Sequence, residues 1–134
     1  MLQVMAVILD IDGTLLLSND AHARAFVEAA AALGIQRDFA TVSRLIGKGG
    51  DKLIPEAFGF DSESDLGKEL ASLKGEIFGT RYLSTLKPAP GARQLLTRLR
   101  KDGIRLVVGT SASADEVSAL LEQADVKDQS PPRL

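Results

Sequence analysis

The pair most able to do chemistry lies close to the N-terminus. Asp10 and Asp12 bracket Ile11 directly after the apolar run Val4 to Leu9, and Gly13 follows them. Acids that end an extended apolar segment deliver carboxylates to the end of a strand, where open α/β sheets bind their ligands. Side chains two positions apart face the same way in an extended segment, so Asp10 and Asp12 are expected to share one pocket, and Gly13 lets the backbone turn sharply beside a ligand. Paired hard oxygens suit Mg²⁺, which takes carboxylates, water and substrate phosphate oxygens. An aspartate oxygen can also attack phosphorus and become an acyl phosphate. The plainer reading of Asp-Ile-Asp-Gly alone is a strand-ending turn, because Asp and Gly are frequent turn residues.

The elements that must hold this pair follow from the hydrophobic pattern. Val4 to Leu9 is continuous rather than alternating, which predicts a strand buried on both faces of a helix-covered parallel sheet. Asn19 or Asp20 is placed to cap a helix running to Gly34, Thr41 to Ile46 reads as a short helix, and Asp51 is placed to cap another that ends towards Gly59. From Ser64, the apolar residues Leu66, Leu70, Leu73 and Ile77 fall on one helical face despite Gly67 and Gly75. Residues 18–85 are therefore read as all helical. Lys87-Pro88-Ala89-Pro90-Gly91 breaks that pattern, and a helix carrying Leu95, Leu96 and Leu99 leads to a second β-branched run, Ile104 to Val108. After Gly109 and Thr110-Ser111-Ala112, Ser113 and Glu116 have the spacing of a capping box. Val117, Leu120, Leu121 and Ala124 form the buried stripe of the helix they start. Strand, helical insertion, helix, strand, helix is an α/β plan. Ser130 to Leu134 reads as a loose tail.

Composition excludes several classes. The 134 residues are 45% hydrophobic and 25% charged, a globular balance rather than that of a disordered chain. Sixteen Lys and Arg against eighteen Asp and Glu leave a net charge of −2, with no basic run to neutralise a row of phosphates, so no nucleic-acid partner is expected. Without cysteine there is no disulfide and no thiolate metal site. The N-terminal apolar run is far shorter than the roughly 20 residues that span a bilayer, and it lacks the flanks of a signal peptide. A cytoplasmic protein with no membrane partner is the expectation.

The full string Asp10-Ile11-Asp12-Gly13-Thr14-Leu15 on a hydrophobic strand resembles the first motif of the haloacid dehalogenase superfamily of phosphatases and phosphomutases. The similarity runs from about Val4 to Val126 and looks closest to the phosphoglycolate phosphatase and β-phosphoglucomutase-like branch. That resemblance implies a Rossmannoid parallel-sheet core, residues 1–17 and 86–134, with an inserted α-helical cap, residues 18–85. It also implies a Mg²⁺-dependent enzyme, a phosphoric monoester hydrolase acting on a small phosphorylated metabolite. Asp10 would be nucleophile and metal ligand. Asp12 would act as general acid and then base, with its carbonyl also on Mg²⁺, one carboxylate ionised while its neighbour carries a proton. Thr110 takes the place of the family's second motif, a hydroxyl for a phosphoryl oxygen, with Ser111 the alternative one register away and a turn hydroxyl the plainer reading. Gly13 would bring backbone to the phosphate. In the cap, His22, the only histidine, resembles a histidine after the hinge that helps bind substrate or move a proton. The plainer reading is a solvated or hinge residue. Lys48, in Gly47-Lys48-Gly49-Gly50, resembles a cap-loop contact to the substrate. Its alternative is a solvated lysine in a flexible loop.

Two further family motifs, a lysine and an acidic loop that completes the metal site, have no recognisable counterpart. Lys127 follows the last helix too closely to be given the lysine's role. Only two core strands are visible where the family builds at least five, so the core is expected to be truncated, with a bare sheet edge open to pairing with another copy of the chain or another polypeptide. Three functions follow: a phosphatase working through an aspartyl phosphate, a sugar phosphomutase sharing the nucleophile, or a non-catalytic chain that binds phosphate weakly or assembles with another subunit.

Overall fold

The structure is a computed structural model and describes residues 2–129. The described residues form two compact units, residues 2–17 with 86–129, and Ser18–Thr85. The predicted tail, Ser130 to Leu134, lies outside the described residues.

The first unit is built on two parallel strands, β1 (Ala6–Leu9) and β2 (Arg105–Val108). They pair in the register Ala6 with Arg105, Val7 with Leu106, Ile8 with Val107 and Leu9 with Val108. Paired residues share a face, so Val7, Leu9, Leu106 and Val108 lie on one side of the sheet and Ala6, Ile8, Arg105 and Val107 on the other. The first side belongs to the core: Leu9, Leu106 and Val108 are buried, as are Leu96 of α5 (Ala92–Lys101), a helix in contact with β2, and Val117, Leu120 and Leu121 of α6 (Ala114–Gln123). The second side is not covered. Ala6, Ile8 and Arg105 are exposed and Val107 is half-buried. This corrects the expectation of a strand buried on both faces: the apolar run is continuous, but helices pack on one face only.

Between strand and insertion the chain doubles back on itself. Leu17 donates its amide to the Lys87 carbonyl at 3.0 Å and Ala89 donates to the Leu15 carbonyl at 2.9 Å, so the segments entering and leaving residues 18–85 run antiparallel. The Pro-rich stretch that breaks the helical pattern is therefore hydrogen-bonded to the segment just after the acidic motif. At the far end of the unit, the Ser113 hydroxyl accepts from the Glu116 amide at 3.3 Å, and the Glu116 carboxylate accepts from the Ser113 amide at 3.4 Å. The expected capping box starts α6.

The second unit is entirely helical: α1 (Asn19–Ala32), α2 (Phe39–Ser43), α3 (Gly50–Phe58) and α4 (Asp65–Ile77), followed by a π-helical turn, Phe78–Tyr82, and a 3₁₀ turn, Leu83–Thr85. Three helix starts differ from expectation. Ser18, not Asn19 or Asp20, occupies the N-cap of α1, and it is fully buried; Asp38 caps a short helix that starts before Thr41; Gly49, not Asp51, precedes α3. In each case several cap-competent residues lie within two or three positions, and packing selects among them. Ser64 caps α4 through the Gly67 amide, as its position predicts. Gly67 is required by crowding: a Cβ there would lie 2.2 Å from the Asp61 carbonyl oxygen, whereas one at Gly75 would meet nothing within 4 Å. Leu70 and Ile77 are buried on the predicted face of α4, while Leu66 at its start is exposed.

Candidate active site at the ends of the two strands

Asp10 leaves β1 immediately after Leu9. Because Leu9 pairs with Val108 and the Gly109 amide donates to the Leu9 carbonyl at 2.8 Å, Thr110 leaves β2 at the same end of the sheet. Parallel strands thus bring residues one hundred positions apart in the chain to one edge. The intervening backbone is wound tightly: the Ile11 carbonyl accepts from the amides of Thr14, Leu15 and Leu16 at 2.9 to 3.1 Å, and the Gly13 amide donates to the Leu16 carbonyl at 2.8 Å. Gly13 sits at φ 78°, a left-handed conformation that side-chain-bearing residues adopt at a cost. The turn is anchored from below, since Ile11, Leu15 and Leu16 are buried while Asp10, Gly13 and Thr14 face outward and Asp12 is half-buried.

The two acids influence each other electrostatically. Partial burial pushes the Asp10 carboxyl above its ordinary range, and the negative charge of Asp12 pushes it the same way. Opposing them, the Ile11 amide donates to Asp10 Oδ1 at 3.0 Å, and the Thr14 hydroxyl hydrogen-bonds the same carboxylate. Thr14 was not singled out from sequence; its place within Asp-Ile-Asp-Gly-Thr was the signal. At the end of β2, Thr110 is half-buried and Ser111 exposed. The Thr110 Oγ1 accepts from the Ala112 amide at 3.1 Å, which fixes the side chain and leaves the hydroxyl proton for an acceptor.

A divalent cation fits this donor set in part. Asp10 and Asp12 offer hard oxygens, and their mutual repulsion is what a dication relieves. Among the described residues no group of three or more His, Cys, Asp and Glu is gathered to hold a metal. Mg²⁺ commonly uses one or two carboxylates and completes its shell with water and substrate phosphate oxygens.

In the helical unit, His22 is not simply solvated. Its ring stacks on Phe78 with centroids 4.1 Å apart and planes 5° from parallel, and its Nδ1 lies 2.8 Å from Lys74 Nζ. The lysine also sits 5.0 Å from the ring centroids of Phe26 and Phe78. A cation held between two aromatic faces and an imidazole has no signature in sequence, because Lys74 reads as one more charge on α4. Lys48 is exposed with its Nζ 2.9 Å from both carboxylate oxygens of Glu56, so its charge is largely matched within the loop and helix. Lys127 pairs with Glu122 at 3.6 Å.

A family model described as haloacid dehalogenase-like hydrolase matches residues 4–131. Protein CbbY of Rhodobacter capsulatus is 28% identical over 90% of this chain and 56% of its own length. Phosphoglycolate phosphatase of Nitrosospira multiformis is 30% identical over 95% of the chain and 58% of its own. The crystal structure of CbbY from Rhodobacter sphaeroides in complex with phosphate superposes with a TM-score of 0.72 at 28% identity, covering 90% of this chain and 57% of that one. The chain thus spans less than two-thirds of the length of each of these relatives.

Proposed function

We propose that this chain, which belongs to the haloacid dehalogenase-like hydrolase family, carries the nucleophile half of a Mg²⁺-dependent phosphatase for small phosphate monoesters. What supports this reading is that Asp10 and Thr110 follow neighbouring parallel strands at the same end of the sheet, with Asp12 two residues beyond Asp10. In this reading residues 18–85 act as a cap, in which His22 helps to bind substrate or move a proton and Lys48 contacts the non-phosphate part of a small phosphorylated metabolite, and the protein works in the cytoplasm. The phosphoglycolate phosphatase among its relatives, and the phosphate held by a solved one, support a phosphate ester as substrate.

The chain's residues divide the chemistry as follows. An Asp10 carboxylate oxygen forms a bond to phosphorus while the bond from phosphorus to the ester oxygen breaks. Asp12, protonated, gives its proton to the departing alcohol. Asp12, now a carboxylate, takes a proton from water as that water attacks the phosphoryl group, which frees Asp10 and releases phosphate. Thr110 donates its hydroxyl to a phosphoryl oxygen, with Ser111 next to it, and the Gly13 turn brings backbone close. Asp10 and the Asp12 carbonyl would hold Mg²⁺, which would supply the positive charge that lets an anionic nucleophile approach an anionic phosphate.

A sugar phosphomutase would share the first half of this sequence and return the phosphoryl group to a sugar. A non-catalytic chain that binds phosphate weakly or assembles with another subunit is the third reading, for a chain that spans less than two-thirds of the length of its relatives. Phosphate release from p-nitrophenyl phosphate with Mg²⁺, compared between the native chain and Asp10→Asn, separates them. Release by the native chain alone supports the phosphatase; equal release removes Asp10 from the mechanism; none from either supports the non-catalytic reading. Isomerisation of a sugar phosphate identifies the mutase.

A further inference from the structure

The chain enters the helical unit once and leaves it once, at residues 17–18 and 85–86. In the first unit the two flanking segments form a short antiparallel ladder: Leu16 bridges Pro88, the Leu17 amide donates to the Lys87 carbonyl at 3.0 Å and the Ala89 amide donates to the Leu15 carbonyl at 2.9 Å. Leu86 lies one residue beyond these rungs, at the point where the chain returns. Its carbonyl is taken up by a side chain, because Gln123 Nε2, at the end of α6, donates to it at 2.7 Å in a partly buried contact. A backbone carbonyl beyond the last rung of a ladder needs a donor from elsewhere, and Gln123 supplies it.

The same end of α6 also holds the far end of the returning segment. Arg93, in the first turn of α5, donates to the Asp125 carbonyl at 2.6 Å and to both carboxylate oxygens of Asp128 at 2.6 Å. Asp125 lies just past the C-cap Ala124 at φ 60°, a left-handed conformation uncommon outside glycine, and its carbonyl is the one that Arg93 reaches. Residues 86–93 are thus gripped at both ends by the short stretch 123–128.

We propose that Gln123 is the anchor of this returning segment, confining the bending of the two connections to the links 17–18 and 85–86. Hinges are the few residues that absorb a change in backbone angles, and a segment held at both ends is not among them. The ladder carries the same restraint to Leu15 and Leu17, which continue directly from the acidic turn, so motion at the links does not reach Asp10 and Asp12.

Hydrogen exchange followed by NMR at the Leu17 and Ala89 amides of the full chain tests the anchor without any turnover, so the anchor and the phosphatase reading fail separately. Gln123→Leu removes the donor at similar size, Gln123→Glu sets an acceptor against the Leu86 carbonyl, and Gln123→Lys restores a donor on a longer side chain. In the first two variants exchange at both amides should be about threefold to tenfold faster, the worth of one hydrogen bond read as a local opening equilibrium. Gln123→Lys should exchange nearly as the native chain does, and the Gly109 amide, which donates to the Leu9 carbonyl between the strands, should keep its rate in all three. Unchanged rates at Leu17 and Ala89 in Gln123→Leu and Gln123→Glu overturn the anchor. Equal acceleration in all three variants does so too, because packing rather than the donated hydrogen bond then holds the segment. So does acceleration that reaches Gly109, because α6 then supports the whole unit rather than the returning segment.

Discussion

Asp10 carries an electrostatic cost that its neighbours only partly offset, and that cost is measurable apart from any activity. Its folded-state pKa is raised, first by burial and then by Asp12, so its favourable contribution is present in acid and lost as the pH climbs through the raised value. Asp10→Asn keeps the acceptor for the Ile11 amide and removes the charge. The variant should melt above the native chain at pH 7, and the difference should shrink as the pH falls through the carboxylate range and vanish where the carboxyl is protonated in both states. Thermal melts across that interval check the sign. At Thr110 the proposed role predicts that Thr110→Val lowers kcat/KM by about 10- to 100-fold, the worth of a hydrogen bond to a charged oxygen, while Ser111→Ala changes it little. The reverse order would move the phosphate contact to Ser111. These acids and this hydroxyl were legible in sequence because each ends an apolar run, and the end of a strand is where such folds bind ligands. The Lys74 contact with His22 was not, since 52 residues separate them and nothing in a helix-surface lysine announces the ring it will meet.

Among the elements, α4 offers a paired test of what its two glycines do. Gly67→Ala drives a Cβ into the Asp61 carbonyl and should cost about 1–3 kcal/mol. Gly75→Ala meets open space inside the same helix and should stabilise by about 0.5–1 kcal/mol. Urea denaturation of the two variants reads both values. The sequence pattern placed this helix and its Ser64 cap but treated both glycines alike, because crowding against a preceding turn is a tertiary fact. For α6 the local signal was complete: Ser113 and Glu116 cap it reciprocally and its predicted stripe is buried. Ser113→Ala should cost about 1 kcal/mol. The starts of α1, α2 and α3 were less legible where Ser, Asn, Asp and Gly crowd together, and Ser18 won its position by being buried rather than by capping through its side chain.

At the scale of the molecule, hydrophobic runs specified two strands in parallel but not how many faces would be covered. Leu106 and Val108 answer to a packed core, while Ile8, chemically as apolar, does not. Leu106→Ala should therefore destabilise by about 2–5 kcal/mol, and Ile8→Ala should stay within about 0.5 kcal/mol when measured on the monomer at low concentration. The α/β plan and the helical insertion were readable because two short continuous apolar runs are separated by segments of helical period; the uncovered sheet face was not, because a continuous apolar run looks the same whether one or both sides are packed. The chain spans 56% and 58% of its curated relatives, so whether it works as an enzyme rests on what Asp10 itself does. The most direct measurement is mass spectrometry of the acid-quenched protein after exposure to acetyl phosphate and Mg²⁺. The account predicts one phosphoryl group on Asp10, labile to hydroxylamine and absent from Asp10→Asn. A native chain that releases phosphate while the label sits on another residue, or that carries no label at all, would contradict it.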